Sequence, residues 1–122
     1  MNWSDHKAIY LQIVDVMMDE ILGGEVQAGQ RALSVREKAA QIQVNPNTVV
    51  RSYGILEEAG VIQNKRGQGY FYAADTVEQA RAYRKEAFSN EMLPVVFRTM
   101  ELLQIEPAEF LAAYEDYKNS KQ

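Results

Sequence analysis

The sequence predicts a mainly α chain with a small β-hairpin, and three stretches carry that expectation. Ser34-Val35-Arg36-Glu37 has the S-x-x-E spacing of a capping box, in which serine and glutamate satisfy each other's backbone donors at a helix start. Val44-Asn45-Pro46-Asn47-Thr48-Val49-Val50-Arg51 reads as a second helix start, parted from the end of the first helix by a very short turn. Val61-Ile62-Gln63-Asn64 and Tyr70-Phe71-Tyr72 are rich in β-branched and aromatic residues and read as short strands. Between them lies the turn Lys65-Arg66-Gly67-Gln68-Gly69.

The elements follow in order. Tyr10, Ile13, Val14, Met17 and Ile21 keep helical spacing, with Asp15, Asp19 and Glu20 on the other side, so Ile9 to Leu22 is an amphipathic core helix. Gly23-Gly24 ends it, and Glu25 to Leu33 is a connecting loop. The helix opened by Ser34 runs through Ala39 and Ala40 to about Ile42. Gln43 and Val44 then lead to Asn45, whose side-chain oxygen suits an N-cap, and to Pro46, whose missing N–H costs nothing at the first helical position. Val44 and Val49 occupy the positions of a hydrophobic staple.

This next helix runs to about Ala59 and stops at Gly60. At about 100° per residue, Tyr53 and Leu56 lie with Val49 on the inward side, while Asn47, Arg51, Gly54 and Glu58 project outward. A glycine inside a helix costs roughly 1 kcal/mol, so Gly54 either permits close approach of a backbone or is simply exposed. Two helices joined so tightly, followed by a hairpin with cations at its tip, spell a winged helix-turn-helix DNA-binding domain over residues 1–75. Lys65 and Arg66 would meet phosphate or a base edge, while a merely solvated basic tip is the other reading of that turn taken alone.

From Thr76 the character changes. Thr76-Val77-Glu78-Gln79 has the spacing of another capping box and opens a helical region reaching about Leu103. Ala80, Tyr83 and Ala87 form one apolar stripe; Leu93, Val96, Phe97 and Met100 form another. Pro94 predicts a kink or break near Ser89 to Leu93. Pro107 begins a last helix with Phe110, Leu111, Tyr114 and Tyr117 on one side. Such stripes need a surface to bury against. The expectation is a second copy, making 76–122 a short helical dimerisation region, against the alternative that these helices fold back on their own chain.

Composition bounds the chemistry. The chain has 122 residues, 47% hydrophobic and 25% charged, the balance of an ordinary globular protein. Without cysteine there is neither a disulfide framework nor a cysteine-based zinc site. No apolar run approaches a membrane span and no signal-peptide layout opens the chain, so a cytoplasmic protein without membrane contact is expected. The single histidine, His6, has no partner cluster, and nothing resembles a phosphate loop or a paired-carboxylate site; an enzyme is not expected, nor a cofactor. The net charge of −4 argues against nucleic acid, but it is unevenly spread. Arg31, Arg36, Lys38, Arg51, Lys65 and Arg66 face only Glu37, Glu57 and Glu58 within residues 31–72, a local balance of +3.

Residues 9–72 resemble the DNA-binding domain of the GntR bacterial transcription regulators. The matching stretches, in order, are Ile9-Tyr10-Leu11-Gln12-Ile13, Ile21-Leu22-Gly23-Gly24-Glu25, Ser34-Val35-Arg36-Glu37 and Val44-Asn45-Pro46-Asn47-Thr48-Val49. They continue with Leu56-Glu57-Glu58-Ala59-Gly60-Val61-Ile62 and Arg66-Gly67-Gln68-Gly69. The N-P-N-T-V core and the short helical C-terminal part look like the YtrA-like subgroup. The resemblance implies a homodimeric repressor reading an inverted-repeat operator in double-stranded DNA. It implies DNA contacts from Arg36, from Asn45, Asn47 and Thr48, and from the wing residues Arg66 and Gly67. Position at the capping box, on the outward face and at the wing tip adds Ser34, Arg51, Lys65 and Gln68 to these. It also implies control of a neighbouring transporter operon, although no residue identifies a small-molecule effector.

The chain departs from the family pattern at several positions. Leu33 replaces a usual proline, Ala32 and Lys38 replace leucines, Gln43 replaces a glycine, and Pro46 and Val50 stand where many members have arginine. Base preference therefore cannot be copied. Asn47 suits an adenine edge, Thr48 and the helix N-terminus suit phosphate, and Arg51 could read guanine or anchor a phosphate. The alternative function is a winged helix used as a protein-interaction module without specific DNA binding. A salt series separates the two, because DNA affinity falls steeply with added salt.

Overall fold

The computed structural model describes residues 3–121 and contains two compact units, Met1–Lys85 and Glu86–Gln122. In the first, α1 (Ile9–Leu22) lays Ile13, Val14, Met17, Met18 and Ile21 into the core. It packs chiefly on α3 (Pro46–Glu58), whose Val49, Ser52, Tyr53 and Leu56 are buried. Between them in sequence, α2 (Val35–Ile42) is the first helix of the tight pair. The inward and outward sides of α3 are those the helical spacing predicts, with Asn47, Arg51, Gly54 and Glu58 exposed.

The turn between α2 and α3 is closed by Gln43 in the left-handed conformation, φ 55°. A side chain here carries a backbone penalty that the glycine expected at this position from the resemblance would avoid. Lys38, at a common leucine position, is 7% exposed and donates from Nζ to Gln41 Oε1 at 3.1 Å. Its aliphatic stem stands in for the leucine while the ammonium keeps a polar partner.

Strands β1 (Ile62–Lys65) and β2 (Gly69–Tyr72) pair antiparallel, with Ile62 opposite Tyr72 and Lys65 opposite Gly69. The preceding loop joins this hairpin. Arg31 forms an antiparallel bridge with Phe71, Ala32 N donates to Tyr70 O, and Tyr72 N donates to Gln30 O, each bond 2.9 Å. A third edge thus guards β2. The Tyr70 ring meets Tyr53 edge-on at 5.0 Å between centroids, joining the hairpin to α3.

Helix α4 (Thr76–Ala87) begins at the expected residue but without the expected capping box. Thr76 is fully buried, and its hydroxyl donates inward to Val61 O at 2.8 Å. Gln79 turns its amide to the Asp75 carboxylate instead, at 3.0 Å. Thr76 is already the first helical residue, and Gln79 N donates to the Asp75 carbonyl at 3.0 Å, so the threonine side chain serves the hairpin and does not cap the helix. Ala80 is fully buried, and Arg84 pairs with Asp15 of α1 at 2.8 Å, which holds α4 on the first unit as far as Lys85.

The second unit consists of helices. The kink or break expected near Pro94 is a π-helical turn, Phe88–Met92, in which Leu93 N bonds to Phe88 O. The wider turn leaves Pro94 near the start of the following helix, where its missing donor is tolerated. That helix, α5 (Leu93–Leu103), ends at Gln104, and α6 (Pro107–Asn119) follows. No residue of the π turn, α5 or α6 is buried. Phe97, Leu102, Phe110, Leu111 and Tyr117 are all at least half exposed or close to it. Among the described residues no helix is long and apolar enough to cross a membrane, and no acidic, histidine or cysteine cluster could hold a metal.

Candidate nucleic-acid interface

The α2 start is fixed by its own chemistry. Ser34 Oγ accepts from Glu37 N at 3.1 Å, and Glu37 Oε1 accepts from Ser34 N at 2.8 Å, so the capping box forms in full. The Ser34 backbone and then its hydroxyl hold the Glu37 carboxyl below its ordinary value, and Arg31 adds to this. Arg36, on the first turn, is exposed and makes no hydrogen bond or ion pair among the described residues. A permanently charged fork beside a helix start, with no internal partner to give up, is open to phosphate.

The α3 start is equally specified. Asn45 Oδ1 accepts from Asn47 N at 2.8 Å, Pro46 occupies the first turn, and Val44 packs beside the core that holds Val49. The Asn45 oxygen is therefore committed to capping, whereas the Asn47 side chain is exposed and free. Thr48 is half-buried at the same end. Four residues beyond Asn47, Arg51 is exposed, and its guanidinium carbon lies 3.9 Å from the centroid of the Tyr10 ring.

The wing places Lys65, Arg66, Gly67 and Gln68 together at an exposed tip. They differ in freedom. Lys65 Nζ sits 4.6 Å from the Phe71 ring centroid, while Arg66 makes no ion pair among the described residues. Gln68 N donates to Lys65 O at 2.8 Å, which closes the turn. Arg31 braces the wing base. Its Nη1 is 3.6 Å from Glu37, and a Cβ built at Gly69, where φ is +105°, would stand 3.4 Å from its guanidinium. One arginine thus connects the α2 capping box with the hinge of the wing.

Two residues of this region escape a reading by pattern. Tyr10 falls on the apolar stripe of α1 and reads as core, yet it is half-buried and covers an arginine. Arg31 reads only as a charge in a loop. Its proximity to S-x-x-E was a usable signal for the ion pair, but the contact with Gly69 depends on the bridge that brings β2 alongside.

Residues 9–71 match the family described as bacterial regulatory proteins, gntR family. The chain is 34% identical over 118 residues to the uncharacterized HTH-type transcriptional regulator YhcF of Bacillus subtilis (strain 168), covering 95% of this chain and 94% of that protein. It is 34% identical over 98 residues to the HTH-type transcriptional repressor YtrA of the same organism, covering 77% and 75%. Among solved structures, a GntR family transcriptional regulator from Listeria monocytogenes superposes with a TM-score of 0.78 at 33% identity, covering 93% of this chain and 98% of that one.

Proposed function

The chain belongs to the gntR family of bacterial regulatory proteins and is a DNA-binding transcriptional regulator, and from that premise we propose that it is a cytoplasmic repressor binding an inverted-repeat operator as a homodimer. The observation that carries the reading is the set of partner-free polar groups on rigid starts: Arg36 on α2, Asn47 on α3 and Arg66 at the wing tip. Asn47 pairs with a base edge in the major groove. Arg36, Lys65 and Arg66 supply salt-sensitive affinity, with Gly67 and Gln68 bringing the wing backbone close to the duplex. Ser34, Asn45 and Thr48 contribute through the helix starts they shape, whose N–H groups favour phosphate.

Repression is supported by the similarity to YtrA, a transcriptional repressor by name. The homodimer is supported by the second unit, where Phe97, Leu102, Phe110, Leu111 and Tyr117 stand in solvent in the single chain. In this division of labour residues 1–75 read DNA with α4 clasped to them, and the dimer contact of the 76–122 region comes from its helices beyond Lys85. Two recognition helices then address half-sites about one helical turn apart.

Selection of bound duplexes from a random pool tests the whole reading. The expected product is an inverted repeat with about one turn between half-site centres. Failure to enrich any duplex at low salt would instead support a protein-interaction module.

A further inference from the structure

The geometry points to Tyr10 as a positioning residue of the DNA interface, one that presents the Arg51 guanidinium to a backbone phosphate. This rests on the DNA-binding reading above and adds a residue of α1 to it. Arg51 is exposed on the outward side of α3, and its guanidinium carbon lies 3.9 Å from the Tyr10 ring centroid. In that arrangement the cation rests over the face of the ring. No hydrogen bond or ion pair among the described residues occupies its N–H groups, which stay available to an acceptor.

The placement of the ring is itself enforced. Ser52, the next residue on α3, is fully buried and donates from Oγ to the Tyr10 carbonyl at 2.8 Å. Tyr10 is therefore joined to consecutive residues of α3 by two different means, its backbone to Ser52 and its ring to Arg51. The ring cannot slide along α3 without breaking this partly buried hydrogen bond. A free arginine samples many rotamers, and ordering it on binding costs affinity; the stack orders it beforehand. It also ties the guanidinium to a residue of α1 instead of leaving it to extend from α3 alone, an arrangement that suits a phosphate bordering a groove better than a base at its floor. Phosphate accepts from such an open, fixed fork in two places at once.

The test uses the full chain, the duplex it selects from a random pool and a scrambled duplex of equal length. Tyr10→Phe, Tyr10→Leu, Arg51→Ala and the double variant Tyr10→Leu/Arg51→Ala are titrated on both duplexes across a salt series. Arg51→Ala weakens both duplexes by a similar factor and lowers the salt slope by about one. Tyr10→Leu weakens binding by about two- to fivefold, the worth of an exposed cation–π contact, and Tyr10→Phe restores it. In the Arg51→Ala background, Tyr10→Leu adds nothing. A Tyr10→Leu loss that persists in that background marks a purely structural role and overturns the proposal. Tighter binding by Tyr10→Leu overturns it too, since the stack would then sequester the arginine. An Arg51→Ala loss confined to the selected duplex would make the contact a base contact and sink the phosphate assignment. Should Tyr10→Leu not fold, Tyr10→Phe matching the wild type while Arg51→Ala loses affinity on both duplexes still upholds the ring-and-phosphate reading, and a Tyr10→Phe loss equal to that of Arg51→Ala overturns it. A wild-type chain that selects no duplex fails one step earlier and removes the DNA-binding reading together with this one.

Discussion

The Tyr53 hydroxyl donates to the Leu33 carbonyl at 2.7 Å, tying the inward side of α3 to the residue just ahead of the α2 cap. Burial pushes this phenol above its ordinary value of 10.0, with Tyr72 and Tyr70 adding to the effect, and burial followed by Glu20 pushes Tyr72 up to about 12. A folded-state value above the unfolded one gives stability that is complete below the unfolded value and lost as pH rises through the folded one. The thermal midpoint is therefore expected to fall as pH climbs from 10.0 toward about 12. Tyr72→Phe should flatten that fall, as measured by thermal melts across alkaline pH. A midpoint unchanged through this window would contradict it.

Gly54 offers a clean change of stability. It lies in a helix with nothing within 4 Å of a Cβ built on it. Gly54→Ala is expected to raise unfolding free energy by about 0.5–1 kcal/mol in urea titrations, because alanine has less conformational freedom to lose. Reduced operator affinity in the same, more stable variant would show that the bare backbone matters for approach to the duplex.

The two wing cations should behave differently. Arg66→Ala is expected to reduce the slope of log affinity against log salt by about one, the mark of a lost phosphate contact. Lys65 is partly engaged with Phe71, so Lys65→Ala is expected to lower the slope less. Equal slopes for all three proteins would remove the wing from the phosphate interface.

The apolar side of α6 provides a test of assembly. Leu111 is 55% exposed in the single chain, so a charge there burdens an association surface but not a core. Leu111→Glu is expected to convert a dimer to a monomer in sedimentation velocity. Operator affinity should drop by roughly a hundredfold or more as the two half-sites lose their linkage. The melting of the first unit should be unaffected.

How far these features can be read from sequence depends on how local their causes are. Asn45, Pro46 and the Ser34–Glu37 box act within one helical turn, so the bounds of α2 and α3 follow from residue types. The hairpin follows equally from Val61–Asn64, Tyr70–Tyr72 and the glycines between them. Thr76 shows the limit: the same S/T-x-x-E/Q spacing is present, but the helix starts one residue early, Gln79 N bonds the Asp75 carbonyl, and the threonine hydroxyl turns inward to Val61 O. Pro94 announces a disturbance without choosing its form, since a π turn and a break both relieve the missing donor. The edge made by Arg31 has no alternation to betray it, and the Tyr10 ring over Arg51 joins residues from distant parts of the chain.

The Val61 carbonyl accepts two donors, Ala73 N at 3.0 Å and the Thr76 hydroxyl at 2.8 Å. One oxygen is thus the meeting point of the strand leading into the wing, the strand leading out of it and the helix that follows. Anyone cutting this chain to obtain a minimal DNA-binding fragment would find residue 75 an attractive place for the scissors, because the composition changes there. Such a fragment would leave the oxygen one donor short and strip the cover that Ala80 gives the core. The natural place to cut lies beyond Lys85, with α4 kept as a clasp on the wing.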